Sequence, residues 1–126
     1  MPVKDLSLIA LAGAVGTLAR LGLAGWAQKL GGQRFPWGTL AVNLVGCLLF
    51  GLVFTLAAER ALISPRWRVI LLGGFMGAFT TFSSFGHETA MLVRQEQWAI
   101  AVANITAQNV LGLAAVYLGM AIGRSL

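Results

Sequence analysis

Apolar runs long enough to cross a bilayer follow one another through nearly the whole chain, at residues 6–28, 37–58, 67–93 and 98–123. A span needs about 20 mostly apolar residues to cross a hydrocarbon layer ~30 Å thick. The second run alone rises ~33 Å as a helix at ~1.5 Å per residue. Of the 126 residues, 58% are hydrophobic and 10% are charged, which excludes disorder and argues against a soluble globular domain. Within lipid each backbone group must be bonded inside its own segment or a closed barrel. The expected fold is therefore an all-α membrane protein, one domain of four transmembrane helices. The first run is too long for a cleavable signal and is expected to stay as a span.

Polar punctuation separates the runs. Residues 29–36 carry Lys29, two glycines, Arg34 and Pro36; residues 59–66 carry Ser64 and Pro65, which stop a helix; residues 94–97 read RQEQ. Trp26, Trp37, Trp67 and Trp98 stand near the span ends, where interfacial tryptophans belong. Four crossings put both termini and the 59–66 loop on one side. That side holds Lys4, Arg60, Arg66, Arg68 and Arg124; the other holds Lys29, Arg34 and Arg94. A bias of five against three is weak for loops so short. The hypothesis that follows is insertion in both orientations, and site-specific tags reporting one orientation only would count against it.

The net charge of +5 comes from basic residues scattered at span ends. They read as snorkelling anchors and not as a nucleic-acid face, and their field favours an anionic solute. Four short spans can hardly enclose an aqueous path, so a transport function implies an oligomer. Two ridges of small residues invite close helix contact, Gly73 with Gly77, and Ala115 with Gly119 and Gly123. Packing within the chain explains either ridge equally well. Cys47, the single cysteine, reads as a small buried packing residue. One His and one Cys cannot build a structural zinc site.

Polar groups at membrane depth need partners. Arg20 lies in the last third of the first run and must snorkel, pair or line water. Asn43 shares a helical face with Thr39 and Gly46, and its amide is ordinary interhelical glue or a pore group. The fourth run carries Asn104, Thr106, Gln108 and Asn109, a dense set whose facing the spacing leaves open. The densest stretch is GGFMGAFTTFSSFGHETA, residues 73–90. Gly73, Gly74 and Gly77 and the hydroxyls of Thr80, Thr81, Ser83 and Ser84 predict an interrupted third helix near Gly77–Thr80, exposing carbonyls and amides. Converging carbonyls suit a cation; a helix N-terminus after the break suits an anion. Phe82 and Phe85, three apart, would offer electropositive ring edges on one face. Ser83 or Ser84 with His87 and Glu88 lacks the spacing and the oxyanion hole of a hydrolase, so no enzyme is expected.

Two of these stretches closely resemble the signatures of the Fluc (CrcB) fluoride channels: PWGTLAVNLVGCLLFG at 36–51 and GGFMGAFTTFSSF at 73–85. GAVGTLAR at 13–20 resembles that family's first-span motif, and the fourth run matches loosely. The resemblance implies a dual-topology homodimer of antiparallel chains in a bacterial inner membrane, with two fluoride pathways, each built from both copies. It implies passive, fluoride-selective export. Asn43 matches the pore asparagine, Phe82 and Phe85 the pore phenylalanines, and Arg20 the vestibule arginine. Ser83, Ser84 and Thr39 match nearby polar positions. Gly77 and Thr80 match the break whose carbonyls hold a structural sodium ion. Cys47 stands where many members have serine, Leu21 where an aromatic is common, and Ser84 where threonine is common. A small multidrug transporter is the rival with the same span count, but it needs an acid deep in the first span, which here has only Asp5 at its start. A non-conducting assembly subunit, its polar groups acting as glue, is the third reading.

Overall fold

In a computed structural model describing residues 1–126, the chain is helical throughout. Helix α1 runs Val3–Gly31, and α2 runs Trp37–Glu59 with a π-helical last turn at Thr55–Glu59. Residues 65–79 form α3, whose middle, Val69–Met76, is wound as a π-helix. Helix α4 is Phe82–Arg94, and α5 is Trp98–Ser125 with a π-helical turn at Ala107–Leu111. Between α3 and α4, Thr80 (φ −86°, ψ 156°) and Thr81 (φ −148°, ψ 101°) have extended backbone. Together α3 and α4 fill one apolar segment, so four segments are long and apolar enough to cross a membrane.

Local chemistry sets the boundaries. Gly32, at φ 88° and ψ −171°, takes a positive-φ conformation open to glycine, which ends α1. Gln28 then clamps the loop: its Nε2 donates to the carbonyls of Gly32 and Phe35, and its Oε1 accepts from the Gly38 amide at 3.0 Å. Ser64 Oγ accepts from the Trp67 amide and Pro65 opens α3, a regular N-terminal pairing. The last connection is tighter, with Glu96 at φ 59° and the Gln97 amide bonded to Leu92 O at 2.8 Å.

Glycines bring the helices together. A side chain at Gly16 would strike the Phe75 carbonyl, and one at Gly74 would meet Ile9 O at 3.0 Å, which fixes α1 on α3. Gly38 does the same for α2 against Ala24 of α1. The closest seam joins α2 to the second half of α5: Gly51 abuts Val116 and Met120, Gly119 abuts Leu48 and Leu52, and Gly123 abuts Thr55. Such contact is expected where lipid competes for every apolar surface and only close packing favours association. By contrast Gly73 and Gly77 face outward, and a side chain there would touch only its own helix, at 3.9 Å. The buried core is small, with Val42, Ile70, Met76, Phe79, Phe85, Leu92 and Ala101 at its centre.

Ion pairs gather the chain ends. Arg66 Nε bonds Asp5 at 2.6 Å, and Arg124 grips Glu59 with two bonds of 2.8 and 2.9 Å. Arg60 donates to the carbonyls of Arg124 at 2.9 Å and Leu126 at 3.0 Å. Both termini and the 59–66 loop therefore share one end of the bundle. Residues Gln33 and Arg34 meet Gln95 and Gln97 around a cavity at the other end.

Candidate ion pathway

The junction between α3 and α4 is held by a side chain from α2. The Thr81 amide donates to Asn43 Oδ1 at 2.8 Å, and Asn43 Nδ2 returns a bond to the Thr81 carbonyl at 3.1 Å. A carboxamide has the same donor and acceptor as a peptide, so Asn43 replaces the bonds that extended backbone cannot make in its own helix. Thr81 then caps α4: its Oγ1 accepts from the Ser84 amide at 3.2 Å and donates to Ser84 Oγ at 2.8 Å. Gly46 makes room for this arrangement, since a side chain there would collide with Thr80 Cγ2. The Thr80 hydroxyl turns back to Met76 O at 3.0 Å.

Because the Thr81 amide is engaged by Asn43, the Gly77 carbonyl lacks the donor a continuous helix would supply. Arg20 reaches the same turn from α1, its Nε donating to Ala78 O at 2.9 Å. A cation beside the carbonyl end of a helix is favourably placed.

A cavity of about 290 Å³ opens beside this junction. Asn43, Thr80, Thr81, Gln108 and Asn109 form its polar wall; Phe82, Phe85, Phe50 and Cys47 are on its apolar wall. No carboxylate lines it. The rings of Phe82 and Phe85 meet edge to face, centroids 5.4 Å apart at 68°. Phe85 is 9% exposed and Phe82 81%, so the pair reaches from the core to the outer surface. Gln108 Oε1 accepts from Asn43 Nδ2 at 3.0 Å, while Gln108 Nε2 is buried with no partner. The buried polar atom left without a partner at the cavity is therefore an N–H donor; the exposed Asn109, also on the wall, has its Nδ2 bonded to Ile105 O at 2.8 Å. An anion that has left water needs such a donor; a cation would be repelled by it.

The family model described as CrcB-like protein, Camphor Resistance (CrcB), matches residues 7–120. The chain belongs to the CrcB family. Among its relatives, the "Fluoride-specific ion channel FluC" of Nitrosococcus oceani is 51% identical over 121 residues, covering 96% of this chain and 97% of that protein. The protein of the same name from Solidesulfovibrio magneticus is 49% identical over 122 residues, covering 97% and 98%. That from Desulforapulum autotrophicum is 50% identical over 116 residues, covering 92% and 93%. The resemblance seen at residues 36–51 and 73–85 thus extends along the chain. With four spans and this family, the chain is a multi-pass membrane protein. Its relatives are named as channels and not as enzymes. No bond links His87 to Ser84 or Glu88: Ser84 is bonded to Thr81, and Glu88 accepts from Thr39 Oγ1 at 2.7 Å.

This CrcB chain distributes the residues singled out from sequence unevenly. Asn43, Thr80, Phe82 and Phe85 line the cavity. Gly77, Arg20, Thr39, Ser83 and Ser84 do not. Thr39 is buried one helical turn from Asn43 and points to Glu88; Ser83 is exposed. Cys47 is half-buried against the cavity and not sealed in a core. Gly77 itself is helical (φ −59°, ψ −31°), so the backbone departs from helix three residues later, at Thr80. Gln108 was one of four polar residues in its span that spacing could not orient. Its lengthwise match to Asn43, both carboxamides deep in apolar runs, was the available signal.

Proposed function

We propose that the chain is a fluoride-selective passive channel that lets fluoride leave a bacterial cell across its inner membrane. It works as an antiparallel homodimer with two pathways. The observation that carries this reading is the buried, unpartnered Gln108 Nε2 in a cavity without carboxylates, framed by Phe82 and Phe85. The chain is about half identical to proteins named fluoride-specific channels, which supplies the ion's identity.

The chemistry follows from the donors. Fluoride would exchange part of its hydration shell for the Gln108 N–H groups and the electropositive ring edges of Phe82 and Phe85. Asn43 orders this wall; both ends of its amide are engaged by Thr81 and Gln108, and it contacts the ion only by releasing one of them. Ser83, Ser84 and Thr39 lie outside the cavity wall and act as polar support beside it, and Arg20 raises the local potential for an anion.

Two features support a second copy. Phe82 leaves most of its ring outside the chain, and the Gly73–Gly77 ridge is open. An inverted copy docked on the ridge would bring two interrupted third spans together, and a copy's surface is what would cover the exposed Phe82 ring. The carbonyls of Gly77 and Thr80 from both copies are then suitable oxygen ligands for a sodium ion. The residues fit: the Gly77 carbonyl lacks its helical donor, and no three His, Cys, Asp or Glu side chains converge to hold a metal instead. Sodium there would tie the two copies together and take no part in conduction.

Liposomes loaded with fluoride and chloride test the proposal. On adding a potassium ionophore, fluoride should leave rapidly and chloride should stay. Folded protein that releases no fluoride, or both halides alike, would overturn it.

A further inference from the structure

Asn104 lies one helical turn before Gln108 on α5 and is fully buried at 0% exposure, yet it is not part of the cavity wall. A π-helical turn starts at Ala107, between the two amides, which breaks the register that would otherwise align them. Asn104 Nδ2 donates to Thr89 Oγ1 of α4 at 3.0 Å, and Thr89 Oγ1 donates to the Phe85 carbonyl at 2.7 Å. A threonine hydroxyl has one proton. With an N–H delivered to its oxygen, that proton is directed at Phe85 O. Turned over, the amide would set its own oxygen against a hydroxyl whose proton is already engaged.

We propose that Asn104 and Thr89 are positioning residues for Phe85, a relay from α5 through α4 that sets the angle of its ring in the cavity. The inference rests on reading that cavity as the anion pathway. The polarity of Asn104 argues against direct ion contact. Its one unbonded atom, Oδ1, is a buried acceptor and would repel an anion, whereas the unbonded atom of Gln108 is a donor. Threonine bonded to the carbonyl four residues back bends a helix locally, and here that turn carries Phe85. The Phe85 ring in turn braces Phe82 through the edge-to-face contact. Two amides a turn apart on α5 thus divide the work, one toward the ion and one toward the ring beside it.

The test combines flux with a spectroscopic report on the ring. Thr89→Val keeps the shape of the side chain and removes the hydroxyl; Asn104→Ala removes the donor to it; Thr89→Ser keeps the relay. Each goes into full-length protein, with and without 4-fluorophenylalanine at position 85. Thr89→Val and Asn104→Ala should each slow fluoride efflux about three- to tenfold, the scale of one lost buried hydrogen bond. The double variant should be no slower than the worse single, and Thr89→Ser should match wild type. The fluorine resonance at 85 should move in both singles and stay in Thr89→Ser. An unmoved resonance, unchanged flux, or effects that multiply in the double variant would overturn the relay. If Asn104→Ala does not fold, Thr89→Val and Thr89→Ser decide it alone. Wild type that passes no fluoride would overturn the channel reading, and the resonances would still decide whether the relay holds the ring.

Discussion

Two glycine ridges with the same spacing have opposite fates in this chain. On α5, Gly119 and Gly123 are pressed against α2 so closely that an added side chain would strike backbone atoms of Leu48 or the side chain of Thr55. On α3, Gly73 and Gly77 meet nothing beyond their own helix. Small residues four apart signal close approach in a membrane, but not whether the approaching helix belongs to the same chain. The closed ridge is part of folding. The open ridge is the surface proposed above to receive a second copy. Folding and function should therefore separate by mutation along this line.

The largest effect is expected on the closed side. Gly119→Val forces a side chain into the Leu48 carbonyl, and backbone cannot yield as a side-chain end can. Overpacking of this kind costs about 1–3 kcal/mol or more. The purified variant should lose its single size-exclusion peak or melt well below wild type; an unchanged melting curve would break the contrast between the ridges. Next come the rings. Phe82→Ile and Phe85→Ile should slow fluoride efflux about tenfold or more through loss of the ring edges, while the assembly elutes unchanged. Full flux in both would remove them from the pathway. Gln108→Met keeps length and removes the free N–H. Loss of a hydrogen bond to an ion, about 1.5–3 kcal/mol, should slow efflux by about ten- to a hundredfold if the ion relies on it. On the open side, Gly77→Leu should leave the monomer folded and weaken self-association, read by dilution of fluorescently paired copies in bilayers. The smallest effect belongs to the exposed end: Glu59→Gln removes a solvent-exposed ion pair with Arg124 and should change neither flux nor assembly measurably.

The spans were readable from sequence because bilayer thickness imposes length and composition together. Their ends moved by a few residues, since Pro2, Gly32 and Ser64 decide where helices start and stop. The order of loops about the two ends was readable from crossing count, and the Asp5–Arg66 and Glu59–Arg124 pairs agree with it. The position of the extended residues was less accessible. Glycines and hydroxyls pointed to Gly77–Thr80; within that window Gly77 stays helical, and the extended residues are Thr80 and, just past it, Thr81. Thr81 departs because Asn43, 38 residues earlier, offers a substitute for both peptide bonds. A long-range partner of that kind leaves no local pattern. Gln108 was hidden for a related reason: the π-helical turn at Ala107–Leu111 interrupts the 3.6-residue period by which Asn104 and Gln108 would share a face. Arg20 reads the same in sequence whether it snorkels or pairs. Only the Ala78 carbonyl at 2.9 Å distinguishes the two.

The central claim is that the open ridge is the face on which an inverted second copy docks. A single cysteine at position 77, in a chain whose own cysteine is removed by Cys47→Ala, tests it most directly. Two copies related by a twofold axis through that ridge bring the new thiols together. Mild oxidation in native membranes should then give a disulfide-linked dimer through residue 77. Monomer alone from the position-77 variant, with its thiol still open to small reagents, would contradict the account.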